Sequence, residues 1–560
     1  DALHLLGVVR MEQNRFDEAL DFLNRSLAAR PGHPDVRINL GKTLKFLGRD
    51  AEARTVFGAL LETRPDLAEA LYELAELQYR GGDSDGAETN FRKLLALEPH
   101  HLQAGFFLGL ICKDSGRPAE AEAFLATGLI QARQSGMKAA FLQQLALAQY
   151  QQGKKKESLG NFALAARLDP LLNADINRAD ILAEMHRFEE AAQVLEQLLA
   201  REPENAAAHA AYNKLLHQLG RDAEFLTSYD RAPKNPALLA GKAGLLLKKG
   251  RPAEAHGLYA EALKSMPESA EAAIGAATAL NELKRPQEAA AVLEQALKHN
   301  PQSPALYQDL ASTLLQSRDP QKAAAMAEQA LRLAPTDQAG LAVLGTAWRM
   351  MGDARDEVLN GYDDLIRIFD LEPPDGFSHM EDFNAELNAW LAGLHADTRE
   401  PLEQSLRGGS QTRGFIFGQG HVLAEKLKQR IDEAMERYLA AMKPDDRHPF
   451  RSRRGRGFRL RDSWSSRLHD KGFHVNHIHP GGWISSCYYV ALPQAVKDEN
   501  GKQGWIKFGQ PSFDAGLSMR RAIQPRPGRL VLFPSYMWHG TIPFREDTAR
   551  TTVAFDAVPL

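Results

Sequence analysis

Gly7, Ala19 and Pro31 return 34 residues later as Gly41, Ala53 and Pro65, and again as Ala75, Ala87 and Pro99. The internal spacing of 12 and 12 is kept each time. After an irregular unit at Gly109 and Ala121, the pattern resumes at Ala146, Ser158 and Pro170, and at Ala179, Ala191 and Pro203. A degenerate unit holds Asn213 and Phe225, and regular units then follow from Ala243, Ala277 and Ala311. A fixed period of this length marks a stacked array, because one such unit cannot bury its own apolar face. Small residues at fixed points let two antiparallel helices approach closely. Turns such as Leu-Gly-Arg and Gly-Arg-Pro separate the helices, and a proline closes each unit.

About ten units of this kind cover residues 1–335, with an aromatic recurring at Phe22, Phe57, Phe91, Phe162 and Tyr259. The small–small–proline skeleton resembles tetratricopeptide repeats. That resemblance implies an all-α superhelix whose concave face holds a peptide or protein. An inert spacer or a self-association surface is the alternative, since a fold does not prove a function.

Gly345 and Trp348 open one more unit that never completes. Residues 356–371 read as an amphipathic helix capping the array, and Glu372-Pro373-Pro374-Asp375-Gly376 is a strong stop. The expected organisation is therefore a repeat array at 1–335, capping helices and a linker at 336–375, and a second domain at 376–560. In that domain two helices are expected, at Met380–Leu394 and at 421–442. Short aromatic and β-branched strands follow at 457–460, 464–468, 483–492, 505–508, 530–533 and 551–558. Many short strands with turns between them predict a small barrel or a two-sheet jelly roll. The Gly-rich stretch 404–412 reads as a surface turn; no Lys-Ser/Thr follows its glycines, which argues against phosphate binding.

At 560 residues the chain exceeds one ordinary core, and 44% apolar with 25% charged residues is a globular composition. A net charge of −4 gives no support to a nucleic-acid partner. The basic run 447–461 reads as a solvated loop. No apolar run is long enough to span a membrane, and Cys112 and Cys487 are too few and too distant for a disulfide framework. A reducing, cytoplasmic setting is expected. The chain opens inside a helical pattern, so its natural N-terminus is expected to lie upstream.

The chemistry gathers at residues 472–490 and 527–555. His477 and His479 stand two apart before an apolar run, and alternate residues of an extended strand share a face. His539 follows a second apolar strand, and Arg550 comes eleven positions later. Three imidazoles suit a divalent transition metal, and a guanidinium suits a carboxylate. His474 precedes the pair by three residues and is expected to face away. Trp483 and Trp538 read equally as pocket walls or as core.

Residues 404–412, the run His-x-His-Pro-Gly-x-Trp-Ile-Ser-Ser-x-Tyr-Tyr and Phe533-Pro534-Ser535…His539…Arg550 together resemble the iron(II)/2-oxoglutarate-dependent oxygenases found fused to tetratricopeptide repeats. The resemblance covers about residues 396–560. It implies a double-stranded β-helix and a dioxygenase that uses Fe(II), 2-oxoglutarate and O2 to hydroxylate a side chain of a recruited peptide or protein. It also implies His477, His479 and His539 as iron ligands and Arg550 as anchor of the distal 2-oxoglutarate carboxylate. Tyr489 would add a hydroxyl donor, being of one strand parity with Ser485 and Cys487. Thr552, on the Arg550 face, is a further candidate. The usual triad is two histidines and a carboxylate, and here His479 stands where the carboxylate belongs; Asp470 is a remote substitute. Two other readings stay open. His-x-His and Gly528…Pro534…His539 also resemble cupin metal sites, which lack 2-oxoglutarate, but a cupin glutamate is missing and Arg550 has no task there. A non-enzymatic scaffold with a degenerate barrel is the third.

Overall fold

A computed structural model of the chain describes residues 1–395, 400, 402 and 404–560, with Arg456 described by its backbone alone. The opening residues of the oxygenase resemblance, 396–399, 401 and 403, thus lie outside the described set. The chain forms two compact units, Asp1–Ala174 and Asp175–Leu560.

The first unit consists of helices in sequential pairs, from Ala2–Glu12 with Phe16–Ala29 to Ser135–Gln151 with Lys155–Leu168. The repeated small residues sit where the pairs cross. A Cβ on Gly41 would meet the Phe57 ring at 2.4 Å, and one on Gly109 would meet Leu125 at 2.5 Å. Ala19, Ala53 and Ala87 are wholly buried for the same reason. Gly48 takes a left-handed φ of 72° in the turn between helices, a conformation that glycine adopts without steric cost.

The second unit begins with more such pairs. Its degenerate repeat has a full first helix, Ala206–Gln218, but a second helix of five residues, Thr227–Arg231. Buried Asn213 replaces the small residue and explains the change. Its side-chain oxygen accepts from the Leu226 N–H, and its amide donates to the Ser228 hydroxyl at 2.8 Å. These bonds hold the chain in a turn where a longer helix would run.

The strands are β1 (Arg367–Asp370), β2 (Leu406–Gln411), β3 (Phe458–His474), β4 (Ile484–Ala491), β5 (Ile506–Phe508), β6 (Arg521–Ile523), β7 (Arg529–Pro534), β8 (His539–Thr541) and β9 (Arg550–Pro559). They form an antiparallel sheet in the order β1-β7-β4-β9-β3-β2 and a smaller one in the order β6-β5-β8. Parity sorts the larger sheet into two faces. Tyr488, Val490, Leu530, Leu532, Val553 and Phe555 pack against the helices Met380–Leu394 and Val422–Ala441. Tyr489, Val531 and Phe533 turn the other way and pack against Ile506, Phe508 and Ile523 of the smaller sheet. This is the expected jelly roll.

Two expectations are corrected. Residues 356–371 do not form one helix: Arg355–Asn360 is helical, Gly361 turns left-handed at φ 42°, and β1 pairs with β7. Burial decides this, because Leu365 joins the core beneath the helices while Tyr362 and Ile366 join the core between the sheets. A continuous helix could not serve both. Within the stretch 404–412, Leu406–Gln411 likewise form a strand, not a surface turn. Gly409 lies so close to β3 that a Cβ would meet the Arg467 carbonyl oxygen at 2.3 Å, so glycine here permits pairing rather than turning.

The last repeat helix, Gln338–Met351, belongs to both parts. Leu341 and Ala342 enter the barrel's main core, the Trp538 indole N–H donates to Thr346 at 3.0 Å, and Arg349 donates to the Gly509 and Ser518 carbonyls. Repeat residues also brace two barrel segments. Leu402 packs on the cluster around Leu246 and Tyr259, and Arg318 pairs with Asp514 at 3.2 Å.

The crossing-point geometry predicts opposite signs for two glycines of one repeat. Gly58→Ala adds a methyl that meets nothing and should raise stability by about 0.5–1 kcal/mol through helix propensity. Gly41→Ala drives a methyl into a buried ring and should lower stability by about 1–3 kcal/mol. Urea midpoints followed by helical circular dichroism would compare them, and equal shifts would contradict the packing described.

Candidate metal centre

The segment between β3 and β4 runs beside the turn between β7 and β8. His477 and His539 form an antiparallel bridge, exchanging backbone bonds of 2.8 and 3.0 Å, and the His479 N–H donates to the Ser535 carbonyl at 3.0 Å. Period-2 alternation then projects His477 and His479 to one side, the side to which His539 also turns as the bridge partner of His477. Among the described residues, these three are the group of His, Cys, Asp or Glu side chains able to hold one ion, with ligand atoms all within 4.8 Å of one another.

Each imidazole is oriented through Nδ1. His477 Nδ1 lies 2.8 Å from the Val475 carbonyl, His539 Nδ1 lies 3.0 Å from the Met537 carbonyl, and His479 Nδ1 lies 2.6 Å from Asp556 Oδ1. Carbonyls and carboxylates only accept, so each Nδ1 carries the proton and each Nε2 keeps its lone pair. His477 Nε2 and His479 Nε2 stand 3.1 Å apart. Two imidazole donors at right angles on a metal, with bonds of about 2.1 Å, stand about 3.0 Å apart. Converging lone pairs repel unless a cation lies between them, so the donor set fits a divalent transition metal. Burial, reinforced by His479, holds His477 down to about 3, and burial holds His539 well below the usual histidine range. Both rings are neutral at pH 7, as ligands must be.

Arg550 is 1% exposed, and its Nε donates to the Gly504 carbonyl at 3.0 Å. Among the described residues no carboxylate pairs with it. A buried guanidinium without a counter-ion is costly, so the site fits an anion. The Tyr489 ring lies 5.1 Å from the guanidinium carbon, and its hydroxyl is buried beside Arg550 and Cys487. Burial raises Tyr489 well above the usual phenol range, so that hydroxyl keeps its proton to donate. Thr552 is buried opposite Tyr489 in the β4–β9 register, and the Cys487 thiol, pushed up by burial, lies beside all three.

The other sequence candidates fall elsewhere. Trp483 is core, its indole N–H bonded to the Phe450 carbonyl at 3.0 Å, and Trp538 turns to Thr346 and Phe513. Asp470 is exposed and pairs loosely with Lys471. His474 does not face away: its ring stacks on His477 at 6.0 Å, and the Ser405 hydroxyl bridges the two, though His474 is outside the three-histidine group. Sequence reasoning missed Asp556, Ser485 as its partner, and Trp464, whose ring lies 5.5 Å from His479. Strand parity from Arg550 carried the signal for Asp556, six residues further along β9.

Buried neutral histidines make stability depend on pH. Unfolded, His474, His477 and His539 gain protons near pH 6.5, while folded His477 does so near 3 and the other two well below the usual value. The unfolded state therefore binds more protons as pH falls, and stability is lost from about pH 6.5 downward, by up to about 1.4 kcal/mol per pH unit for each histidine. Melting midpoints of the metal-free protein at pH 7 and 5 should show this fall, and His477→Asn should reduce it.

A family model described as "Putative 2OG-Fe(II) oxygenase" matches residues 462–556, and tetratricopeptide repeat models match 10–77, 78–145, 176–238, 246–314 and 280–345. The cellulose synthase operon protein C of Pseudomonas fluorescens (strain SBW25) is 31% identical over 131 residues, covering 22% of this chain. The match spans only 10% of that relative. Among solved structures, YrrB, a TPR protein with an unusual peptide-binding site, is 18% identical with a TM-score of 0.31, covering 33% of this chain and 95% of YrrB. Yeast Tom70 is 16% identical with a TM-score of 0.29, covering 64% and 97%. Scores of this size carry nothing about function. No helix among the described residues is long and apolar enough to cross a membrane. The chain joins tetratricopeptide repeats to a domain of the 2OG-Fe(II) oxygenase family.

Proposed function

We propose that the protein is an iron(II)- and 2-oxoglutarate-dependent dioxygenase that hydroxylates a side chain of a peptide or protein recruited by its repeats. The observation that carries this reading is the presence, in one barrel, of three convergent Nε2 donors and a buried guanidinium that no described carboxylate pairs with. In this reading residues 1–335 recruit, 376–560 perform the chemistry, and 336–375 join the two.

His477, His479 and His539 would hold the metal through Nε2. When bound, iron(II) with 2-oxoglutarate and O2 supplies the oxidising power for C–H hydroxylation. The chain's own residues position and protect. Backbone carbonyls and Asp556 fix the three ring orientations. Arg550 would present its fork to the distal carboxylate of 2-oxoglutarate, with Tyr489 donating a hydroxyl and Thr552 beside them. Phe508 and Phe533 exclude water behind His539, their centroids 6.4 and 4.6 Å from its ring. Ser405 Oγ lies 3.3 Å from His477 Nε2, and the segment after Phe508 follows the ring beside His539. Both regions brace against repeat residues, which supports delivery of substrate from the repeats. A cupin-type reaction without 2-oxoglutarate leaves the buried guanidinium unexplained.

Succinate formation from 2-oxoglutarate under O2, with Fe(II) added, tests the chemistry. Wild-type protein should form succinate only with iron, and His539→Ala should form none. Arg550→Lys keeps the charge but loses the fork, and should raise the KM for 2-oxoglutarate about 10–100-fold, the worth of one to two charge-assisted bonds. An unchanged KM would remove Arg550 from the proposed role. Metal-dependent O2 uptake without succinate would favour the cupin alternative.

A further inference from the structure

The sequence lacks a carboxylate beside His477, whereas the usual triad of such centres has one. The fold supplies a carboxylate at another depth. Of the three Nδ1 contacts, those of His477 and His539 end on neutral carbonyls, while that of His479 ends on Asp556 and is the shortest, at 2.6 Å. Asp556 is 7% exposed and comes from β9, on the face that carries Arg550 and Thr552. Ser485 Oγ donates to the same carboxylate oxygen at 2.6 Å and lies 2.8 Å from Ser535 Oγ. A Cβ on Gly482 would meet Ser535 Oγ at 2.4 Å and the Asp556 carboxyl carbon at 3.4 Å. The backbone is thus brought against this group where only glycine fits. Asp462 faces Asp556 across the β3–β9 register, but its side chain is 60% exposed and lies near Arg461, so it belongs to the rim.

We propose that Asp556 is the carboxylate of this centre, displaced from the metal by one imidazole and acting through His479 as a positioning residue. This rests on the three histidines being the metal ligands. A carboxylate on Nδ1–H fixes the ring, strengthens Nε2 as a donor and keeps a negative charge close to the metal. The charges then balance. A divalent metal, Arg550, Asp556 and dianionic 2-oxoglutarate together carry no net charge; without Asp556 a buried centre would hold an excess positive charge. His479 is thereby set apart from His477 and His539, although all three offer the same atom.

Co(II), stable in air at such sites, is the probe, with affinity measured by competition with a chelator and geometry by its visible bands. Asp556→Asn keeps an acceptor oxygen and the shape but loses the charge. It should weaken Co(II) about 10–100-fold and shift the bands, while the metal-free melting midpoint stays close to wild type. Combined with His479→Ala it should add no further loss, because it acts through that ring. Wild-type affinity in Asp556→Asn, or additive losses in the double variant, would overturn the proposal. Failure of wild-type protein itself to bind Co(II) would instead overturn the metal centre, and this inference with it. A second test needs no folded Asp556 variant: nitrogen-15 spectra of labelled histidine in metal-free wild-type protein should show His479 protonated at Nδ1, its signal identified by loss in His479→Ala. Protonation at Nε2 would refute the proposal.

Discussion

Two backbone hydrogen bonds between His477 and His539 hold the candidate centre together. They join the approach to β4 with the start of β8, segments about sixty residues apart, and fix the depth at which each histidine enters the barrel. A slip of one residue in this pairing would turn His477 and His479 to the opposite face and leave His539 without companions. The register is guarded from both sides. Tyr488, Val490, Leu530 and Leu532 must face the helices, and Tyr489, Val531 and Phe533 must face the smaller sheet. Hydrophobic burial on two faces therefore specifies the register of a polar site.

The same barrel interior carries charges that a core would ordinarily exclude. Arg550 and Asp556 lie on one face of β9, each nearly inaccessible to water. Asp556 is compensated by His479 and Ser485, whereas Arg550 donates to the Gly504 carbonyl and meets no carboxylate among the described residues. Burying a charge without a partner costs several kcal/mol or more. A buried guanidinium suits an anion, and the Tyr489 hydroxyl and Thr552 beside it suit a carboxylate. Neutral buried imidazoles and an anion-seeking guanidinium are complementary halves of one electrostatic design.

Within the unit Asp175–Leu560 the repeats are more than an attached module. Helix Gln338–Met351 gives Leu341 and Ala342 to the barrel core, and Thr346 and Arg349 hold Trp538 and the Gly509–Ser518 stretch. Segments next to the histidines are thus fastened to repeat residues. The short helix Thr227–Arg231, imposed by buried Asn213, breaks the regularity of the array in this same unit.

Much of this was legible in the chain. The 34-residue period determined the helix pairs because close crossing demands small residues at fixed places, and the clash distances at Gly41 and Gly109 express that demand. Strand parity determined that His477 pairs with His479 and that Tyr489, not Tyr488, turns inward, since alternation is a property of the extended backbone. Long-range contact decided the rest. Residues 356–371 have a helical pattern, but Leu365 and Ile366 are claimed by two different cores, so part of the stretch becomes β1. The glycines at 408 and 409 read locally as a turn and serve instead to bring β2 against β3. Asp556 stands 77 residues from His479 in sequence and meets it at 2.6 Å only because β4 pairs with β9. Local spacing reports which side chains share a face; only the closed sheet decides which faces meet, because strand pairing brings together residues whose separation along the chain carries no trace of it.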